Sequence, residues 1–322
     1  MMKRVTKTNV MFTSIILVYI IMIFTIRLVP AKINYNVLLI LPEAVILLTA
    51  LVVCFLLKIE SLKEVELRVV SFGTCAKSFL LAFLCIPLIS VINLISSLIN
   101  GNATADTMTR MQQSPMWLSI ILIAFIPAVV EEFVFRGLVF GNYKKRNPWK
   151  GVLLSALLFG LMHLNINQFS YAFVLGIVLA LLNYATGSLI PSIILHFTIN
   201  ANSVVLSYLS SDLTNSEAIQ KAVSTGDTSS AVNQFANSEF MTYLISIAMI
   251  AAIVAVSTTF AVLLFASICK SNRGIKSVKS IFKKDMRTSY ADEGKYFDGY
   301  LILGICICIV FILYFDIIIK LL

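Results

Sequence analysis

A chain of 322 residues that is 59% hydrophobic and only 13% charged, with a mean hydropathy of +0.94, is not a soluble domain. Apolar runs of about 20 residues recur along it, and their continuity excludes a β-barrel, whose strands alternate polar and apolar positions. The net charge of +9 does not point to nucleic acid, because the basic residues sit in short segments between the runs and form no nucleic-acid-binding motif.

Helices satisfy their own backbone groups in lipid, so the expected fold is all-α, a polytopic transmembrane helical bundle of about 8–9 spanning helices. The first span covers about Val10 to Val29. Lys3, Arg4 and Lys7 precede it as in a signal peptide, but no small-residue cleavage site follows, and it reads as an uncleaved span. The second runs from about Val37 to Leu57; Glu43, directly after Pro42, is assigned a headgroup-level position outside any site. Lys58 to Lys77 is a mixed-charge linker with the character of an interfacial amphipathic piece. A third span, about Ser78 to Ile99, and a polar loop, Asn100 to Pro115, lead to the fourth, about Trp117 to Phe140.

After the basic segment Asn142 to Lys150, a fifth apolar run starts near Gly151 and reaches His163, where Asn165, Asn167 and Gln168 interrupt it. It is short for a full crossing. The sixth span is about Phe169 to Ala185, and Thr186-Gly187 turns the chain into the seventh, about Ser188 to Leu209, with Pro191 in its first turn. Ser210 to Glu239 is a long polar loop with too little apolar content to build a core. An eighth span, about Met241 to Ile268, a basic loop, Cys269 to Phe297, and a ninth span, about Tyr300 to Ile319, complete the chain. The expected division is 1–115 for the first three spans and their loop, 116–209 for a core of spans four to seven, 210–239 for an extracytoplasmic loop, and 240–322 for the last two spans.

With the N-terminus inside, only Lys32, Arg110, Lys221 and Lys320 among the inter-span and terminal basic residues fall outside. That asymmetry orients the chain with its N-terminus in the cytoplasm of a cell membrane, most simply a bacterial plasma membrane. Cys54, Cys75, Cys85, Cys269, Cys306 and Cys308 lie in spans or at their ends, so no disulfide is expected; Cys306-x-Cys308 lacks zinc spacing and reads as packing.

The fourth span carries Glu131, Glu132 and Arg136 inside an otherwise apolar run. A single charge at the centre of a spanning helix costs roughly 2.5–3.5 kcal/mol, so three need a reason. Glu132 and Arg136, four apart, share a helix face in the favourable order for an ion pair, while Glu131 is rotated about 100° away and can address something else. The plainer alternative is a polar clamp between helices. Both histidines of the chain, His163 and His196, fall in predicted spans, where a lone histidine is usually a satisfied core residue. Counting a rise of 1.5 Å per residue puts Glu131, His163 and His196 roughly 12–18 Å from their cytoplasmic helix ends, with Asn200 one turn beyond His196 on the same face. Four polar groups on three helices thus converge on one layer.

The ordered set Glu131-Glu132-x-x-x-Arg136, Phe159-x-x-x-His163 and His196-x-x-x-Asn200 resembles the three motifs of the CAAX-protease and bacteriocin-processing (CPBP, or Abi) family, intramembrane endopeptidases related to the type II prenyl-protein protease. The resemblance covers roughly Trp117 to Tyr208. It implies hydrolysis of a peptide bond in a membrane-associated peptide or protein, with roles in peptide maturation or bacteriocin immunity. In that family Glu131 with His163 would activate water, His196 with Asn200 would face the oxyanion, and Glu132 with Arg136 would be a structural ion pair. The family has also been described as metalloproteases. A zinc version would use Glu131, His163 and His196 as ligands, but the His-Glu-x-x-His arrangement that supplies two ligands and a separate base is missing, which favours the metal-free route. Two readings of other classes stand beside it: a secondary transporter with a midplane proton relay, for which related halves and broken helices are not visible, and an inactive membrane scaffold. The expected partners are the lipid bilayer and the substrate, with no nucleic acid.

Overall fold

The computed structural model describes residues 2–28, 33–59, 65–100, 114–214, 239–282 and 294–314. Among the described residues every regular element is helical: α1 (Arg4–Leu28), α2 (Tyr35–Leu56), α3 (Phe72–Asn100), α4 (Met116–Arg146), α5 (Pro148–Met162), α6 (Ile166–Thr186), α7 (Ile190–Thr214), α8 (Glu239–Ser271), α9 (Ile275–Ser280) and α10 (Gly299–Leu313). The helices α1, α2, α3, α4, α6, α7 and α8 are long and apolar enough to cross a membrane, and α5 and α10 are shorter apolar helices. The chain is an all-α polytopic bundle. Its surface agrees: Phe55, 82% exposed, and many other large apolar side chains point outward, while Arg136 is 1% exposed. That inversion is stable only where lipid replaces water.

Local chemistry explains the boundaries. Asn147 caps α5 by accepting from the Lys150 N–H, and Pro148 occupies its first turn. The helix stops at His163. Leu164 then takes a left-handed conformation, φ 50°, and Asn165 caps α6 by accepting from the Gln168 N–H. The polar residues that interrupt the fifth apolar run are therefore the cap of the next helix. At 15 residues, α5 is about 22 Å long, short of the roughly 30 Å hydrocarbon thickness and too short to cross it alone. Gly187, with φ 65°, closes α6, and Arg273 packs so tightly on it that a Cβ would stand 2.6 Å from Nη2.

The linker expected from Lys58 to Lys77 as an interfacial amphipathic piece is not helical over residues 65–71, and from Phe72 it is already the start of α3. It is a strap across the bundle end: the Leu189 N–H donates to the Glu66 carbonyl at 2.8 Å, the Ser188 hydroxyl donates to the Arg68 carbonyl, and the Glu66 carboxylate pairs with Lys144 and Arg273, each at 3.2 Å. At the same end Asn9 donates to the Tyr296 carbonyl at 2.9 Å and accepts from the Tyr143 hydroxyl. The described parts of the segments that charge counting put on one side are thus tied together. Residues 215–238, which hold most of the predicted extracytoplasmic loop, lie outside the described residues, as do Lys32, Arg110, Lys221 and the end of the ninth span.

The interior is built where α4, α5 and α6 meet α1 and α2; Phe12, Ile15, Phe135, Leu138 and Phe159 are wholly or almost wholly buried there. The closest pairing is α5 against α6, which small residues permit: a Cβ on Gly176 would stand 2.9 Å from the Ala156 Cα. Helix α8 lies outermost, against α3.

Candidate active site

Helix α4 is not uniform. Two π-helical stretches, Ile120–Phe125 and Glu132–Phe140, flank one α-helical turn, Ile126–Glu131. Such widenings accompany functional sites because they loosen the ladder and re-aim side chains. Pro127 contributes, since it has no N–H to offer the Ile123 carbonyl in an α pattern; the Asn200 side-chain N–H on α7 points to that carbonyl at 3.5 Å. The second stretch begins at Glu132, where the two acids diverge.

Glu132 and Arg136 pair as the spacing predicts, with Nη1 2.9 Å from Oε1 and both side chains fully buried. Arg136 also donates to the Gly176 carbonyl on α6 at 3.4 Å and holds its guanidinium carbon 4.2 Å from the Phe159 ring centroid. Glu132 has a second task that spacing does not reveal: Oε1 accepts from Nδ1 of His196 at 3.1 Å. The ion pair is therefore the support on which one histidine is oriented.

The other histidine is oriented by its own helix. Nδ1 of His163 donates to the Phe159 carbonyl at 2.9 Å. A carbonyl can only accept, so the proton of the neutral ring is on Nδ1 and the Nε2 lone pair is available. Phe159 is the hub between the two, with its ring edge-on to His163 at 5.1 Å, to His196 at 5.8 Å and to Phe135 at 5.3 Å between centroids.

Glu131, His163, His196 and Asn200 all line one cavity of about 420 Å³. Oε2 of Glu131 is 3.6 Å from Nε2 of His196, longer than a direct hydrogen bond. Among the described residues neither a hydrogen bond nor an ion pair joins Glu131 to His163, the partner expected for it. Donor chemistry alone would suit zinc, but among the described residues Glu131, His163 and His196 are not gathered as a metal-holding group.

Glu43, expected at the headgroup level and outside any site, does lie against the site. It is 8% exposed and lines the same cavity, together with Tyr19 on α1 and Tyr171 on α6. The signal was available, because an acid within an apolar run is a candidate functional group wherever Pro42 stands. The tyrosines carried no such signal, being common in spans.

These features define a polytopic membrane protein with an acid and imidazole cluster held between its helices. Residues 113–202 match the family model of type II CAAX prenyl endopeptidase Rce1-like proteins, which assigns this part of the chain to the CAAX-protease family. The matched residues include all three motifs, and the family supports a peptidase. No curated protein and no solved structure matches the chain.

Proposed function

We propose that this protein is an intramembrane endopeptidase that hydrolyses a peptide bond of a membrane-associated peptide or protein by a metal-free route. A water held between Glu131 and His163 loses a proton to the Glu131 carboxylate while its oxygen attacks the scissile carbonyl. The Nε2 lone pair of His163 accepts a hydrogen bond from the O–H that the water keeps and so aims the attacking oxygen. His196 and Asn200 receive the oxyanion. Since Nδ1–H of His196 is already committed to Glu132, its Nε2 donates only as the doubly protonated ring, and Glu132 and Glu131 on either side supply the countercharge. Asn200 keeps a second N–H beyond the one aimed at Ile123. Collapse of the tetrahedral intermediate breaks the C–N bond, and Glu131 returns its proton to the leaving amine.

The observation that carries this reading is the anchoring of both imidazoles through Nδ1, which leaves each Nε2 as the group available to the cavity that holds Glu131. A transporter relay would not require two rings locked in this way. The orientation proposed is N-terminus cytoplasmic in a multi-pass cell-membrane protein, with peptide maturation or self-immunity as the setting. The test is cleavage of fluorogenic lipopeptides by purified protein in lipid nanodiscs, together with cross-linking of a Glu131→Gln form to trap its substrate. Turnover that survives Glu131→Gln would remove the mechanism.

A further inference from the structure

Glu43 is the one acid of the cavity that the mechanism leaves unused. It belongs to α2, outside the matched residues 113–202. At 8% exposure it is more than nine-tenths buried, and among the described residues its Oε2 has no hydrogen-bond partner and it makes no salt bridge. A carboxylate removed from water in this way is strongly unfavourable without a countercharge or donors.

Among the described residues no lysine or arginine lines the cavity, whereas Glu131 lines it as well. Arg136, the basic residue beside the catalytic cluster, is engaged by Glu132 and by the Gly176 carbonyl and is absent from the lining. Glu43 and Glu131 therefore share one cavity with no lysine or arginine among its described lining, and the His196 imidazole is already flanked by Glu132 and Glu131 rather than by Glu43. Leu39, Ile46, Tyr19 and Tyr171 share the lining with Glu43, so a charged tip reaching the carboxylate would have apolar and aromatic surface for its methylene stem.

We propose that Glu43 forms a specificity subsite for a cationic side chain, lysine or arginine, carried by the substrate close to the scissile bond. The proposal rests on the peptidase reading and extends it to the class of peptide accepted. Binding the cation satisfies the orphaned carboxylate, and a neutral side chain of the same length leaves it unsatisfied; discrimination by such a buried pair reaches about tenfold or more.

The experiment uses lipopeptides in which lysine is scanned through the positions flanking the cleaved bond, each paired with norleucine at the same position. At one position the wild-type enzyme should prefer lysine by at least about tenfold in kcat/KM. In Glu43→Gln that ratio should fall close to one, and Glu43→Asp should keep part of it. No lysine preference in the wild type, or a preference that survives Glu43→Gln, overturns the subsite. Binding of the same peptide pairs to Glu131→Gln protein, with and without Glu43→Gln, reads the subsite without turnover. Glu43-dependent lysine binding with no cleavage of any peptide would sink the peptidase reading and leave the subsite standing. Cleavage with no lysine selectivity would do the reverse.

Discussion

Replacing Arg136 by alanine isolates the energetics of the buried pair. The substitution leaves Glu132 charged at 0% side-chain exposure, with its 2.9 Å partner gone. Breaking a buried pair in this way costs roughly 3–5 kcal/mol, or roughly 10²–10⁴ in the folding equilibrium. Full burial of both partners argues for the upper part of that range, and loss of the contact with the Phe159 ring acts in the same direction. The folded yield and thermal stability of Arg136→Ala in detergent should therefore fall sharply. The double variant Glu132→Gln/Arg136→Met removes the stranded charge and should recover much of the yield. It should not recover peptide cleavage, because His196 then lacks the carboxylate that holds Nδ1 at 3.1 Å. Size-exclusion yield and melting temperature measure the first effect, and lipopeptide cleavage the second. Equal yields for the single and double variants would refute the pairing argument, and a fully active double variant would refute the role given to Glu132.

Glu131→Ala, His163→Ala and His196→Ala should each abolish proteolysis while leaving membrane insertion largely intact; full activity in either histidine variant would contradict the mechanism. Asn200→Ala should lower turnover on the order of 10²–10³ if its second N–H serves the oxyanion, with KM measured alongside to separate loss of binding. Gly176→Ala puts a Cβ 2.9 Å from the Ala156 Cα and 3.3 Å from the Phe159 ring. It should cost about 1–3 kcal/mol of stability and, by displacing the ring that contacts both histidines, also reduce activity; an unchanged melting temperature would show that α5 and α6 separate easily. Prolonged dialysis against a strong chelator should leave cleavage intact. Activity lost on chelation and restored by added zinc would overturn the metal-free assignment.

Much of this protein follows from apolar patterning alone. Runs of spanning length must be helical in lipid, so the all-α polytopic class was legible, as was the ion pair of Glu132 with Arg136, which depends only on four-residue spacing along one helix. The order of Glu131, His163, His196 and Asn200 with their depths brought these four residues to one layer, because rise per residue is nearly constant, and all four line one cavity. Local capping was written in the sequence too, although Asn165 was legible only as an interruption. What required the tertiary structure are relations between helices that no spacing encodes. Glu132 serves two partners because α7 brings His196 against it, 64 positions away. Phe159 meets His163 one turn along its own helix, but its contact with His196 on α7 joins two helices. Glu43 read as a headgroup-level acid because depth along α2 says nothing about rotation about its axis; packing of α2 against α4 turned it toward the cavity. A chain determines which residues lie at a given depth, and only the packing of its helices determines which of them face one another.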